Sequence, residues 1–286
     1  MTRPFGERLR AAMAQRGQLC VGIDPHPFLL DEWNEPATAE GARSFGLQVV
    51  EAVGSAGTVG VVKPQVAFFE RYGSAGFRAL EDVLDAARDA RLIVIADAKR
   101  GDIGTTMDAY ASTWLDADSP LRADAVTIAA YQGLGAASGT LRLARETGNG
   151  VFVLAATSNS EAKTTQTAVI AHGPNHGMTV AAGIVRDVRD DNTASGETDL
   201  GSVGVVLGAT LDLGDFGVET ADLTTTPILA PGFGAQGALY GDIRRLYGDA
   251  SGSVLVAVSR SVLMAGPDRI VTSIRNHAAE VAECLA

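Results

Sequence analysis

The chain is short of the features that would crosslink a protein, anchor it in a membrane or carry it to nucleic acid. Its 286 residues contain only two cysteines, Cys20 and Cys284. Two thiols make no disulfide framework, and a reduced, cytoplasmic protein is expected. Cys20 lies within an apolar run and reads as a small buried hydrophobe; Cys284, close to the C-terminus, reads as part of a helix end. No run reaches the roughly 18 apolar residues of a membrane span. The opening segment MTRPFGERLRAAMAQRG also lacks the continuous apolar core of a signal peptide. Its Phe5, Leu9, Ala12 and Met13 are instead spaced as on an amphipathic helix. Positive charge is scarce: 23 Lys and Arg stand against 34 Asp and Glu, a net charge of −11. That excludes general affinity for a phosphate backbone, although a few local cations can still dominate one pocket. No Pro/Ser linker or step in composition divides the chain, so residues 1–286 are expected to form one domain.

What is present is a recurring pattern. Apolar runs at Leu19–Ile23, Val59–Lys63, Leu92–Asp97, Ala125–Ile128, Val151–Ala155, Val203–Leu207, Pro227–Ala230 and Val254–Val258 read as strands. They are nearly continuous rather than alternating, as in parallel strands covered on the outside by helices. Segments such as Gly76–Ala90, with Phe77, Leu80, Val83, Leu84 and Ala87 at helical spacing, lie between them. Eight repeats of βα in this length imply an α/β fold, a single-domain TIM (β/α)8 barrel, with a doubly wound open sheet as the alternative. Two stretches stand out as elaborations. Arg186–Gly201 (RDVRDDNTASGETDLG) is polar and reads as an exposed loop, and Leu29–Glu40 extends the first βα connection.

The densest chemical signal is Leu92–Thr106, LIVIADAKRGDIGTT. An apolar strand runs into Asp97, Lys99 and Asp102. Strand side chains alternate, so Asp97 and Lys99 share a face while Ala98 turns into packing. Burying ions costs several kcal/mol each before pairing returns anything, so such an array at a strand mouth points to an active site. Other polar residues share this address. Asp24 follows LCVGI, Lys63 closes GVV, Ser158 follows VFVLAAT, Gln236 follows ILAPGFGA and Arg260 follows VLVAVS. In a TIM barrel the carboxyl ends of the strands form the active-site face.

ADAKRGDIGTT closely resembles the defining motif of the orotidine 5′-phosphate decarboxylase family, and VGIDP, VVKPQVAFFE, LAATSNSEA, LAPGFGAQG and VAVSRSVL resemble its other signatures in the expected order. The VVKPQ form and the chain length resemble the subgroup of longer bacterial members. The resemblance implies removal of carbon dioxide from carbon-6 of orotidine 5′-phosphate, giving uridine 5′-monophosphate with neither metal nor organic cofactor. It makes Lys99 the proton donor to the carbanion at that carbon, sets Asp97 beside the departing carboxylate, and pairs Lys63 with Asp97 near the ribose. Asp102 would complete the charge network from the other subunit of a homodimer. Asp24 and Thr106 would meet ribose hydroxyls, with Thr106 reaching the partner's site. Ser158 would bind the pyrimidine, and Gln236 and Arg260 the phosphate.

Elementary chemistry fits these roles. A route without a cofactor has no electron sink, so fixed charges must stabilise the carbanion. Carboxylates beside Lys99 favour its ammonium form. The loop Pro231–Gly237, with three glycines and Gln236, suits close approach to a phosphate, and Arg260 offers planar donors for it.

Other readings stand beside these. Lys63 could snorkel to solvent, Asp24 could open a turn before Pro25, and Ser158 could be an ordinary loop residue. Thr105 and Thr106 could cap a helix beginning near Met107. His172 and His176 have the spacing of helical metal ligands, but Gly173 and Pro174 argue against a helix there. His26, between two prolines, reads as a rigid-loop residue. Two rival functions remain. The related 3-keto-gulonate 6-phosphate decarboxylases resemble this chain at the Asp–x–Lys–x–x–Asp motif, but they need magnesium and an acidic ligand on the second strand, where this chain has Lys63. The other rival is a non-catalytic barrel that binds pyrimidine nucleotides.

Overall fold

The computed structural model describes residues 3–197 and 199–286. Eight parallel strands close into a barrel in sequence order: β1 Leu19–Ile23, β2 Val61–Pro64, β3 Ile93–Arg100, β4 Ala125–Ala129, β5 Gly150–Ala156, β6 Val203–Leu207, β7 Ile228–Pro231 and β8 Val254–Val258. Closure is made by β1 against β8, with Leu19 beside Val256 and Val21 beside Val258. The TIM-barrel expectation is met, and the open sheet is excluded.

Valine, isoleucine and leucine dominate these strands because both faces are covered. The outward file of each strand packs under the helices in one large core that holds Val62, Val94, Ala96, Val126 and Val256. The inward file fills the barrel with Cys20, Val61, Ile93, Ile95, Ala125, Phe152, Val206, Leu229 and Leu255. The helix Phe5–Arg16 stoppers the amino-terminal end of this inner core with Phe5, Leu9 and Met13. The Phe5 ring meets Phe152 edge-on at 6.0 Å. Arg8 on that helix pairs with Asp124, whose second oxygen accepts from the Val94 N–H at 2.9 Å. The stopper is therefore tied to the strands as well as packed on them. Cys20, fully buried in the inner core, has its thiol pushed up to about 12 by burial, as expected for an inert packing residue. Cys284 lies in the terminal helix Ile270–Leu285 and packs, half-buried, against the outer core.

Most strand ends fall within one residue of the expectations, and three differences are larger. β2 begins at Val61 rather than Val59. β3 runs past Asp97 to Arg100, because its register against β4 jumps between Ala96 and Arg100, where Arg100 re-pairs with Ile128. Arg186–Gly201 is not an exposed loop. Its first half is the end of the helix Val180–Ala194, capped by Thr179, whose hydroxyl accepts from the Ala182 N–H at 3.0 Å. Ala181, Val185, Val188 and Asn192 form its buried stripe. Asn192 clamps β6, donating to the Val203 carbonyl at 2.7 Å and accepting the Val203 N–H at 3.1 Å. The charged residues face away from that stripe, and the helix begins at Val180, ahead of the polar stretch. Residue 198 of this stretch lies outside the described residues. The Leu29–Glu40 elaboration comprises the end of the short helix Pro27–Glu32 and a turn. It is pinned by Trp33, whose indole N–H donates to the Leu263 carbonyl at 2.9 Å.

Candidate active site

The inward files do not stop where the apolar core does. On β3 the sequence Ile93, Ile95 continues in the same parity to Asp97 and Lys99, while Ala98 turns outward and is buried. β2 passes from Val61 to Lys63, β1 from Cys20 through Gly22 to Asp24, and β4 from Ala125 to Thr127. Strand alternation thus carries the charges onto the carboxyl-terminal face without any special loop.

Asp97 is the hub. Its Oδ2 accepts from Lys63 Nζ at 2.7 Å, and its Oδ1 accepts from Lys99 Nζ at 2.6 Å and from the Thr127 hydroxyl at 2.9 Å. The Gln65 amide, turned so that both ends are satisfied, donates to Asp97 Oδ2 at 2.5 Å and accepts from Lys99 Nζ at 3.2 Å. Lys63 and Asp97 are only 8% and 7% exposed, whereas the Lys99 side chain is 45% exposed. Burial alone would raise the Asp97 carboxyl, but Lys63 and Lys99 outweigh it and hold it well below the usual carboxylate range. Burial likewise opposes the Lys63 ammonium, and Asp97 followed by Asp24 reverses this, so Lys63 stands above the ordinary lysine value. Both groups are therefore charged at neutral pH.

Lys99 sits at φ +49°. A left-handed backbone at a lysine is costly and marks a site where surrounding bonds dictate geometry. In this conformation the Lys99 N–H donates to Thr127 Oγ1 at 2.9 Å. Thr127 thus holds both the backbone of Lys99 and the carboxylate its side chain reaches.

A cavity of about 290 Å³ opens beside the hub, lined by Asp24, His26, Lys63, Gln236, Ser259 and Arg260 among others. The larger groove nearby, about 700 Å³ between the loops after β6 and β7, shares Gln236 with it but contains none of the Lys63–Asp97–Lys99 hub. Charge rather than volume identifies the site. In the β7 loop, Gly232, Gly234 and Gly237 all take positive φ, and the Ala235 N–H donates to Ser261 Oγ at 2.9 Å. His26 stacks on Phe68 with centroids 3.9 Å apart, and burial lowers its pKa.

Asp24, Lys63, Gln236 and Arg260 are thus brought together around one cavity, with Asp97 and Lys99 joined through Lys63. Three expected residues stand apart within the single chain. Ser158 is exposed on the loop after β5. Asp102 lies just beyond the hub and caps its own turn, Oδ1 accepting from the Ile103 N–H at 2.8 Å. Thr106 is exposed on the helix Gly104–Leu115. That helix begins at Gly104 with Ile103 before it and no side-chain cap, so neither Thr105 nor Thr106 has the capping role considered for them. His172 and His176 are both exposed on a turn rather than aligned on a helix. Among the described residues, no group of three or more His, Cys, Asp or Glu side chains is arranged to hold a metal ion.

Residues 17–272 match the family model described as Orotidine 5'-phosphate decarboxylase / HUMPS family. The chain belongs to this family. It is 49% identical over 276 residues to the orotidine 5'-phosphate decarboxylase of Streptomyces coelicolor, covering 96% of this chain and 94% of that protein. It is 47% identical over 283 residues to that of Salinispora tropica, covering 99% and 97%. The fold superposes on the crystal structure of a candidate orotidine 5'-phosphate decarboxylase from Streptomyces avermitilis with a TM-score of 0.92, at 44% identity over 100% of this chain and 97% of that one. Leishmania donovani OMP decarboxylase gives a TM-score of 0.74 at 27% identity, with 99% of each chain covered.

Proposed function

We propose that the protein decarboxylates orotidine 5′-phosphate to uridine 5′-monophosphate and carbon dioxide. The observation that carries this reading is the Lys63–Asp97–Lys99 hub, set beside a cavity that presents Asp24, Gln236 and Arg260. In the reaction, the bond between carbon-6 and its carboxylate breaks, carbon dioxide leaves, and the electron pair remains on carbon-6. The Lys99 ammonium then supplies the proton that closes the valence. Two fixed cations beside a developing carbanion stabilise it without reorganising when charge appears. Asp97 keeps both lysines in place and, facing the substrate carboxylate, disfavours the bound ground state relative to the transition state. Arg260 and Gln236 grip the phosphate, Ser158 meets the pyrimidine, and Asp24 holds the ribose. Grip on a remote phosphate helps the chemical step if it draws the glycine-rich loop over the charges.

Asp102 and Thr106 fit this scheme through a second subunit. Half-buried Asp102 and exposed Thr106 follow Lys99 in the chain and flank Ile103, itself 61% exposed. A homodimer that buries this surface brings each Asp102 and Thr106 to the neighbouring site.

The family model also spans metal-dependent sugar-phosphate enzymes by the resemblance described above. Lys63 argues against that chemistry here. A buried ammonium 2.7 Å from Asp97 stands where a metal ligand would be needed, and it repels a cation. The test is direct: purified protein, pretreated with a chelator, should bleach the orotate chromophore of orotidine 5′-phosphate and release uridine 5′-monophosphate. Tight nucleotide binding with no turnover would establish a non-catalytic barrel, and activity restored only by magnesium would establish the sugar-phosphate type of chemistry.

A further inference from the structure

Ser259 closes the inward file of β8. Leu255 and Ala257 face the barrel interior, and the next position of the same parity is Ser259, which lines the cavity beside Asp24 and Lys63. Its Oγ is buried and has no hydrogen-bond partner among the described residues, and the same holds for Asp24 Oδ1. Serine before a helical turn ordinarily turns its hydroxyl onto the free N–H groups of that turn. Ser259 precedes the turn Arg260–Leu263, at φ −127° and ψ −83°, yet its side chain makes no such bond. The residue lines the cavity, and its hydroxyl is left without a partner among the described residues.

The two orphaned oxygens both lie near Gly22. A side-chain carbon there would lie 3.2 Å from Ser259 Oγ, 3.4 Å from Asp24 Oδ1 and 2.7 Å from Ser259 Cβ, so only glycine fits between them. Gly22 is the register partner of Lys63, so both residues adjoin the charged hub. Buried polar atoms left unpaired are costly, and two of them on neighbouring residues that line one cavity ask for a common partner. That partner is not a phosphate, which the Asp24 carboxylate would repel. It is a neutral group able to donate and accept.

We infer that Ser259 is a substrate-binding residue, its hydroxyl acting with the Asp24 carboxylate to hold one sugar hydroxyl of the nucleotide. The sugar O–H donates to Asp24 Oδ1, and Ser259 O–H donates to the sugar oxygen, which satisfies all three groups. Arg260, one residue on, is left to the phosphate. The inference rests on the nucleotide reading of the site. It makes Ser259 a determinant of sugar specificity, because a deoxy ligand leaves both protein oxygens unpaired.

The experiment compares inhibition constants of uridine, 2′-deoxyuridine and 3′-deoxyuridine 5′-monophosphates for the wild type and Ser259→Ala. The substitution should weaken the ribonucleotide about tenfold. It should leave unchanged whichever deoxy analogue lacks the paired hydroxyl. Equal weakening of all three, or an unchanged ribonucleotide, overturns the assignment of Ser259. Should Ser259→Ala fail to fold, Ser259→Cys keeps the size with only a weak donor and is read in the same way. Wild-type protein that binds none of the three overturns the nucleotide reading, and with it the role of Ser259. Wild-type binding with an indifferent Ser259 overturns the serine alone.

Discussion

Lys99 and Lys63 carry the same charge on neighbouring strands but occupy different surroundings. Lys63 is sealed between Asp97 and the barrel, whereas Lys99 is half open to the mouth. In the proposed reaction this difference assigns proton delivery to Lys99 and electrostatic support to Lys63. Lys99→Ala is expected to lower kcat by at least about 10²–10⁴-fold while the melting temperature stays within a few degrees; rapid decarboxylation by that variant would remove Lys99 from its role. Asp97→Asn leaves Lys63 buried without its counterion and should cost about 3–5 kcal/mol of stability at neutral pH. The Asp97 carboxyl is depressed in the folded state, so its contribution is present above the unfolded value of about 4 and is lost as pH falls toward the folded one. Denaturation curves should show a constant gap between wild type and Asp97→Asn above about pH 5 that narrows below about pH 4. The charged residues were legible in the sequence because they interrupt apolar strands. Thr127 and Gln65 were missed, although Thr127 breaks the inward apolar parity of AVTIA in the same manner. A single hydroxyl in a strand is ordinary by itself, and its bond to the Lys99 backbone lies at a register jump that no local pattern announces.

Among the elements, the strands were readable and their ends were not. Apolar runs mark where two faces are covered, but pairing with the next strand decides where extended structure stops, and β3 gains residues through its bulge. The helix Val180–Ala194 was hidden for a related reason: its buried stripe is thin and its outer face heavily charged. The glycines of the loop after β7 do occupy conformations that favour glycine, with positive φ at Gly232, Gly234 and Gly237. Gly234 combines φ +66° with an Ala235 amide anchored on Ser261. Gly234→Ala forces a side chain into the left-handed region, at about 1–2 kcal/mol, and into the Ser261 side chain. Kinetics should then show KM for orotidine 5′-phosphate raised by about tenfold or more, with the nucleoside orotidine, which lacks the phosphate, turned over as by wild type. A parallel loss on both substrates would mean that the loop supports the barrel rather than the phosphate.

For the molecule as a whole, the eight-fold βα rhythm sufficed to fix the barrel, whereas the assembly was not written in periodicity. Asp102 and Thr106 do not line the cavity within one chain, and only the family resemblance pointed across a subunit boundary. Mixing Lys99→Ala with Asp102→Ala subunits should recover a fraction of wild-type activity when exchange is verified by mass; persistent inactivity would show that each site is complete in its own chain. The opposite end of the barrel makes a separate prediction. Phe5→Ala empties the stopper of the inner core and should destabilise the fold by about 3–5 kcal/mol in chemical denaturation.

In the proposed reaction that stopper also bears on the traffic of protons. With Phe5, Leu9 and Met13 closing one end and Ile93, Ile95 and Leu255 filling the lumen, the barrel is closed from below and open at its mouth. Lys99, the proton donor of that reaction, is the more exposed of the two lysines. On this reading its replacement proton arrives through the mouth, the side on which substrate enters and product leaves.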